Sequence, residues 1–252
     1  MLSLKGKTVI VTGASEGIGA QLAAVLRARG AKLCLTARNE TRLAAAAGPD
    51  DLIVAGDITD DAVRSIVVSK TADRWGGIDV LINNAGRGSY HAASAVPPAE
   101  ARALFELNFF APLALAQLAI PHLRRTHGSL VNVSSIAGQI SLPWLPVYSA
   151  SKFALAAITA AQRAELRRDG VHVMGVFPGY VDTDFQRHAF GTPPAVVAGG
   201  RRFAVSAADC AEAIVEGIER RRSTVVTPRA GWLLVWANRL FPGAVEARLE
   251  RV

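Results

Sequence analysis

Short, unbroken apolar runs alternate along this chain with longer stretches of helical period. Thr8-Val9-Ile10-Val11, Lys32 to Thr36, Asp50 to Ala55, Asp79-Val80-Leu81-Ile82, Ser129 to Val133, Val171 to Phe177 and Thr224 to Thr227 read as strands. The helical period covers Ala20 to Arg29, Asp61 to Trp75, Ala99 to about Arg125, Tyr148 to Arg168 and Ala208 to Arg222. Gly30 stands at the C′ position of the first helix, and Pro121 is expected to bend the third. Buried apolar strands joined by crossover helices predict an α/β fold. It is a doubly wound, mostly parallel seven-stranded sheet with helices on both faces, Rossmann-like in design. Thr183 to Val205 is less regular.

Composition narrows the class. With 252 residues, half of them hydrophobic, the chain is long enough for one α/β domain and too apolar for disorder except at its ends. Cys34 and Cys210 have no pairing or metal spacing, which fits a reducing compartment. His91, His122, His127, His172 and His188 are scattered, so no metal site is expected. Met1 to Lys7 leads straight into a strand and leaves no room for a signal peptide, and no stretch reaches transmembrane length. The expected location is the cytoplasm. The net charge is +7, with clusters at Arg201-Arg202, Arg220-Arg221-Arg222 and Arg229. Without zinc-finger spacing or an RNP-like strand, this is read as an ordinary basic surface, with no nucleic-acid partner.

Candidate chemistry begins directly after the first strand. Thr12-Gly13-Ala14-Ser15-Glu16-Gly17-Ile18-Gly19 opens the first helix, where backbone N–H groups and the helix dipole can meet a pyrophosphate. The spacing is Gly-xxx-Gly-x-Gly, and alone it would be a weak signal. At the end of the second strand an NAD-binding chain would carry an acid for the ribose hydroxyls. Here Ala37 takes that place and Arg38 follows, which suits a 2′-phosphate. NADPH/NADP+ is therefore expected over NADH, although Glu16 in the loop counts against it.

Ser134-Ser135 follows the fifth strand, and Tyr148 and Lys152 sit at i and i+4 on one helix face. Most such pairs are a half-buried tyrosine and a solvated lysine. After a glycine loop and a strand-end serine, another use is indicated. A phenol with a pKa of about 10 is a poor acid near neutrality, and an adjacent ammonium is expected to lower it.

Together these motifs resemble the short-chain dehydrogenase/reductase family over about Leu4 to Thr227. They include Asn83-Asn84-Ala85-Gly86, and Pro178-Gly179 with Thr183. The resemblance implies a catalytic tetrad of Asn108, Ser135, Tyr148 and Lys152. Tyr148 would be the general acid or base, and Ser135 would hold the substrate oxygen. Lys152 would grip the nicotinamide ribose, and Asn108 would bend its helix around a relay water. It also implies cofactor contacts from Gly13, Ser15, Gly17, Ile18, Gly19, Arg38, Asp57, Ile58, Asn84, Ala85, Gly86, Tyr148, Lys152, Pro178, Gly179, Val181 and Thr183. The implied organisation is one domain over 1–252, with a core at 4–227 and a C-terminal extension at 228–252.

That extension departs from the family. Trp232, Leu233, Val235, Trp236, Arg239 and Leu240 cannot all rest on one solvated helix face, so an apolar helical tail is expected to find a partner. Its own substrate cleft, a dimer contact and a membrane surface all remain open, the last giving a peripheral membrane location. Ile140, Leu142, Trp144, Tyr180, Phe185, Phe190 and Val197 are expected to line an apolar pocket, with Arg187, His188 and Arg201 nearby. Alanine-rich faces on the helices from Ala99 and Tyr148, at Ala150, Ala154, Ala157, Ala160 and Ala161, fit the family's dimer contact, so a homodimer is expected. The expected activity is NADP(H)-dependent reduction of a ketone or aldehyde on an apolar body. Alcohol oxidation, or a non-catalytic nucleotide-binding scaffold or sensor, are the alternatives.

Overall fold

A computed structural model of the protein describes residues 2–193 and 204–249. Seven strands form its main sheet: β1 (Thr8–Thr12), β2 (Lys32–Ala37), β3 (Leu52–Ala55), β4 (Val80–Asn83), β5 (Ser129–Val133), β6 (His172–Pro178) and β7 (Thr224–Thr227). The spatial order is β7-β6-β5-β4-β1-β2-β3, and every neighbouring pair is parallel. The helices are α1 (Gly17–Ala28), α2 (Glu40–Ala46), α3 (Asp61–Trp75), α4 (Pro98–Phe105), α5 (Ala111–Thr126), α6 (Pro146–Glu165), α7 (Ala207–Glu219), α8 (Gly231–Leu240) and α9 (Pro242–Leu249).

The unbroken apolar character of the strands has a simple cause. Successive side chains point to opposite faces, and both faces are covered. Val9 and Val11 pack with Leu22 and Leu26 of α1 and Ile214 of α7, while Ile10 between them packs with Val67 of α3 and Leu115 of α5. A buried polar ladder ties α6 to the sheet. Asn83 Nδ2 donates to Asn132 Oδ1 at 2.9 Å, and Asn132 Nδ2 donates to Thr159 Oγ1 at 2.9 Å and Gln162 Oε1 at 3.2 Å. Leaving any member unpaired in the interior would be costly, so the ladder fixes α6 in both position and rotation.

Several elements differ from the sequence reading. A short helix, α2, follows β2 and is capped by Asn39, whose side chain accepts from Arg42 N at 2.9 Å. The departure from regular geometry in the long third helix falls at Glu106–Phe110, a π-turn between α4 and α5, while Pro121 lies exposed inside α5. The cause is Asn108, a fully buried amide whose fixed partners require an extra residue in the turn. Pro98–Thr126 also has the length and apolarity of a membrane span, being 29 residues long with an 18-residue window of mean hydropathy 1.6, which the sequence reading overlooked. Leu104, Leu115, Ala119 and Leu123 of that stretch are fully buried against the protein instead.

Beyond β6, two small parallel pairings organise the irregular segment. Val181–Asp182 pairs with Val205–Ser206, and Ser89–Tyr90 pairs with Phe190–Gly191. The sequence positions Val197, Arg201 and Arg202 lie outside the described residues.

Candidate active site

All the loops at the C-terminal ends of β1 to β6 face one cleft of about 610 Å³, beside the point where the strand order reverses between β1 and β4. Of the catalytic and cofactor-binding residues expected from the sequence, every one except Asn108 lines it. Of the expected apolar pocket residues Phe185 lines it, with His188 beside it, whereas Ile140, Leu142, Trp144, Tyr180 and Phe190 do not.

At one end lies the glycine loop. Gly13 and Gly17 have φ of +65° and +53°, in the left-handed region that side chains disfavour. A Cβ on Gly19 would come within 2.0 Å of Gly13 O and 2.7 Å of Asn84 Nδ2, so only glycine fits. Asn84 holds the loop from β4. Its Nδ2 donates to Thr12 O at 2.9 Å and Gly13 O at 3.3 Å, and its N–H donates to Thr12 Oγ1 at 3.0 Å. The side chain of the N-cap residue Glu16 makes no capping hydrogen bond at the start of α1, which leaves first-turn N–H groups of the helix for an anion. In the same wall Thr36 Oγ1 is buried without a hydrogen-bond partner among the described residues. The loop therefore fits a dinucleotide.

Charged residues crowd the ends of β2 and β3. Arg38 is more than half exposed and reaches Asp57 only at 4.0 Å, while Asp57 Oδ1 accepts from Thr59 N and Thr59 Oγ1 at 3.0 and 2.8 Å. Glu16 is already engaged twice, by Arg42 of α2 at 2.8 Å and by His188 at 3.1 Å. Its charge is thus matched locally, which removes much of the objection it raised to a phosphate at Arg38.

At the other end, Ser135, Tyr148 and Lys152 converge, all three buried. Ser135 Oγ accepts from Ala137 N at 3.1 Å and donates to Pro178 O at 3.4 Å. Lys152 Nζ donates to Val133 O at 3.0 Å and lies 5.9 Å from the centre of the Tyr148 ring. Burial pushes the Tyr148 phenol up to about 12, opposed by its hydrogen bond with Ser135, and burial pushes Lys152 down to about 8. The expected lowering of the tyrosine by the lysine is thus overturned in this state. Desolvation dominates, and the lysine is itself discouraged from carrying its charge.

Asn108 stands behind these residues. Its Oδ1 accepts from Arg87 N at 2.9 Å, and its Nδ2 donates to Arg87 O and to Ser151 Oγ, each at 3.0 Å. Both amide hydrogens are committed to the protein, so its side chain could meet a relay water only through the remaining Oδ1 lone pair. Phe185 packs edge-on to Tyr148 with ring centres 5.9 Å apart, and Leu142 and Phe190 join the same apolar cluster.

The sequence profile described as short chain dehydrogenase matches residues 7–193. The chain belongs to the short-chain dehydrogenase/reductase family. Among its oxidoreductase relatives is the 11-beta-hydroxysteroid dehydrogenase-like 4A of Arabidopsis thaliana, 34% identical over 98% of this chain and 85% of that protein. A short chain dehydrogenase from Burkholderia cenocepacia, solved in complex with NADP, is 30% identical with a TM-score of 0.85, covering 98% of this chain and 99% of its own. A Burkholderia phymatum short chain dehydrogenase/reductase, solved with NAD, shares the fold at a TM-score of 0.86 and 24% identity, over 98% of this chain and 97% of its own.

Within this dehydrogenase cleft the sequence reading missed Arg42, Arg87, Leu107 and Asp184 as wall residues. Arg42 had a signal: Asn39 followed by Glu40 is a cap and an acidic first turn, which would have predicted α2 and placed Arg42 one helical turn beyond Arg38. Arg87 and Leu107 stand next to the expected residues Gly86 and Asn108, but only the tertiary fold shows that they reach the cleft.

Proposed function

We propose that the protein is an NADP(H)-dependent reductase that converts a ketone or aldehyde on an apolar substrate to the alcohol, with the whole chain serving as one oxidoreductase domain. The observation that carries this is the convergence of Ser135, Tyr148 and Lys152 in the cleft that begins at the glycine loop. A bound nicotinamide dinucleotide supplies the hydride. Ser135 donates its hydroxyl to the substrate oxygen, and Tyr148 delivers the phenolic proton to it as negative charge develops. Lys152, protonated below a pKa of about 8, holds ribose hydroxyls and favours the phenolate that results. Asn108 fixes the backbone behind the pair. Oxidation of an alcohol would use the same groups in reverse.

Preference for NADPH rests on Ala37 and Arg38: the position at the end of β2 that would carry an acid is Ala37, and an exposed guanidinium follows. The relative solved with NADP supports it, while the fold neighbour solved with NAD keeps NADH as the competitor to test. An apolar substrate is supported by Phe185 against Tyr148 and by the name of the plant relative.

Nicotinamide absorbance during turnover tests the proposal, using NADPH and NADH with carbonyls from small aldehydes to steroidal ketones. Consumption of NADPH that rises with apolar bulk and disappears in Tyr148→Phe is expected. Dinucleotide binding without turnover on any carbonyl or alcohol would favour the scaffold alternative.

A homodimer is part of the same proposal. Ala150, Phe153, Ala157, Ala160 and Ala161 of α6 face outward, as do Phe110 and Leu118 at α5. Sedimentation should give a dimer that Ala157→Arg dissociates. The tail offers a second surface. Val235 of α8 is buried, whereas Leu233, Trp236, Leu240 and Phe241 are at least half exposed, beside Arg239. For a cytoplasmic protein this suits peripheral contact with an anionic membrane. Vesicle cosedimentation that falls on removal of residues 229–252 is the expected result, and equal pelleting of both forms would exclude it.

A further inference from the structure

Arg87 follows the Asn84-Ala85-Gly86 turn, and its backbone is clamped at both polar groups. Asn108, fully buried, accepts from its N–H at 2.9 Å and donates to its carbonyl at 3.0 Å. A side chain on such a mount starts from a fixed point. Its guanidinium lies over the Phe190 ring, 4.6 Å from the centre, and lines the same cleft as the glycine loop and Arg38. Among the described residues no ion pair holds it.

Its charged surroundings hold one cation and one carboxylate. Burial holds the guanidinium below its ordinary pKa, the positive charge of Arg38 acts in the same direction, and Asp57 opposes them. Arg38 and Asp57, at the ends of β2 and β3, line the same cleft and act on this charge. Packing on Phe190 would be served by any long apolar side chain, whereas two cations, Arg87 and Arg38, set against the single carboxylate of Asp57 leave positive charge for a further anion to join. Arg42 differs, since Glu16 already matches it at 2.8 Å.

We propose that Arg87 is a further cofactor-binding residue of this cleft, its guanidinium gripping a phosphate of the dinucleotide opposite Arg38. This rests on the dinucleotide reading above. The stack on Phe190 orients the planar fork, and the Asn108 clamp sets its distance from the glycine loop. The phosphate is either the adenosine 2′-phosphate or the pyrophosphate, and the two cofactors tell these apart.

The test is calorimetric titration of the full chain with NADPH and NADH, for wild type, Arg87→Gln and, as a surface control, Arg102→Gln on α4. Loss of a charge-assisted phosphate contact is expected to weaken binding about 10- to 100-fold. Weakening with NADPH alone assigns the 2′-phosphate; weakening with both assigns the pyrophosphate. In either case, affinity should depend less steeply on salt in the variant than in wild type. Wild-type affinity for both cofactors in Arg87→Gln, with an unchanged salt slope, overturns the proposal. Failure of wild type itself to bind either cofactor overturns the dinucleotide reading instead. Arg87→Met keeps the packing on Phe190 and gives the same comparison if the glutamine variant does not fold.

Discussion

The Lys152 ammonium donates to the main-chain oxygen of Val133 at 3.0 Å, on the strand that also delivers Ser135, while its centre stays 5.9 Å from the Tyr148 ring. The lysine is thus anchored to the sheet and reaches the tyrosine only through the space between them. Its charge at working pH then depends on burial, which depresses it to about 8, far below an exposed lysine.

A pH dependence follows for reduction. Tyr148, raised to about 12, keeps its proton throughout the accessible range, so the ionisation that limits the free enzyme is that of Lys152. In a pH profile, kcat/KM should be level below pH 8 and fall about tenfold per unit above it. A profile level up to pH 10 would show that Lys152 keeps its proton in the folded protein.

The same shift bears on stability. A lysine whose folded pKa is depressed binds its proton more tightly in the unfolded chain. The stability penalty is complete below a pKa of about 8, shrinks as pH rises from 8 to 10.5 and is absent above that. Lys152→Met should therefore unfold at a higher temperature than wild type at pH 7, with the gap closing by pH 10.5, while reductase activity is lost. Thermal melts of both proteins across that range check the sign.

Glu16 spans Arg42 and His188 at 2.8 and 3.1 Å across the mouth of the cleft. Glu16→Gln removes a carboxylate from the neighbourhood of an incoming phosphate and frees Arg42, so NADPH should bind a few-fold more tightly, about 2- to 10-fold. Arg38→Ala should act in the opposite direction, weakening NADPH about 10- to 100-fold with little change for NADH. Titrations of each variant with both cofactors measure this directly.

Asn84 joins β4 to the glycine loop through Thr12 and Gly13. Asn84→Ala leaves those carbonyls without their donor, so a loss of about 1–3 kcal/mol in unfolding free energy is expected, together with weaker dinucleotide binding. Denaturant unfolding and cofactor titration of the variant test both effects.

The sequence by itself determined the order and type of the elements in the sheet, because strands covered on both faces must be apolar without interruption. It also determined the cleft residues that local chemistry fixes. Gly13, Gly17 and Gly19 are set by backbone conformation and close approach, and Tyr148 and Lys152 by one turn of helix. Tertiary structure decided the rest. Asn108 is committed to Arg87 and Ser151, partners far from it in the chain, so its turn opens there and not at Pro121. Arg87 and Leu107 join the wall for the same reason. The ionisation of Tyr148 and Lys152 follows how completely the fold removes water from them. Spacing along the helix places that pair side by side, but only burial sets which member gives up its charge.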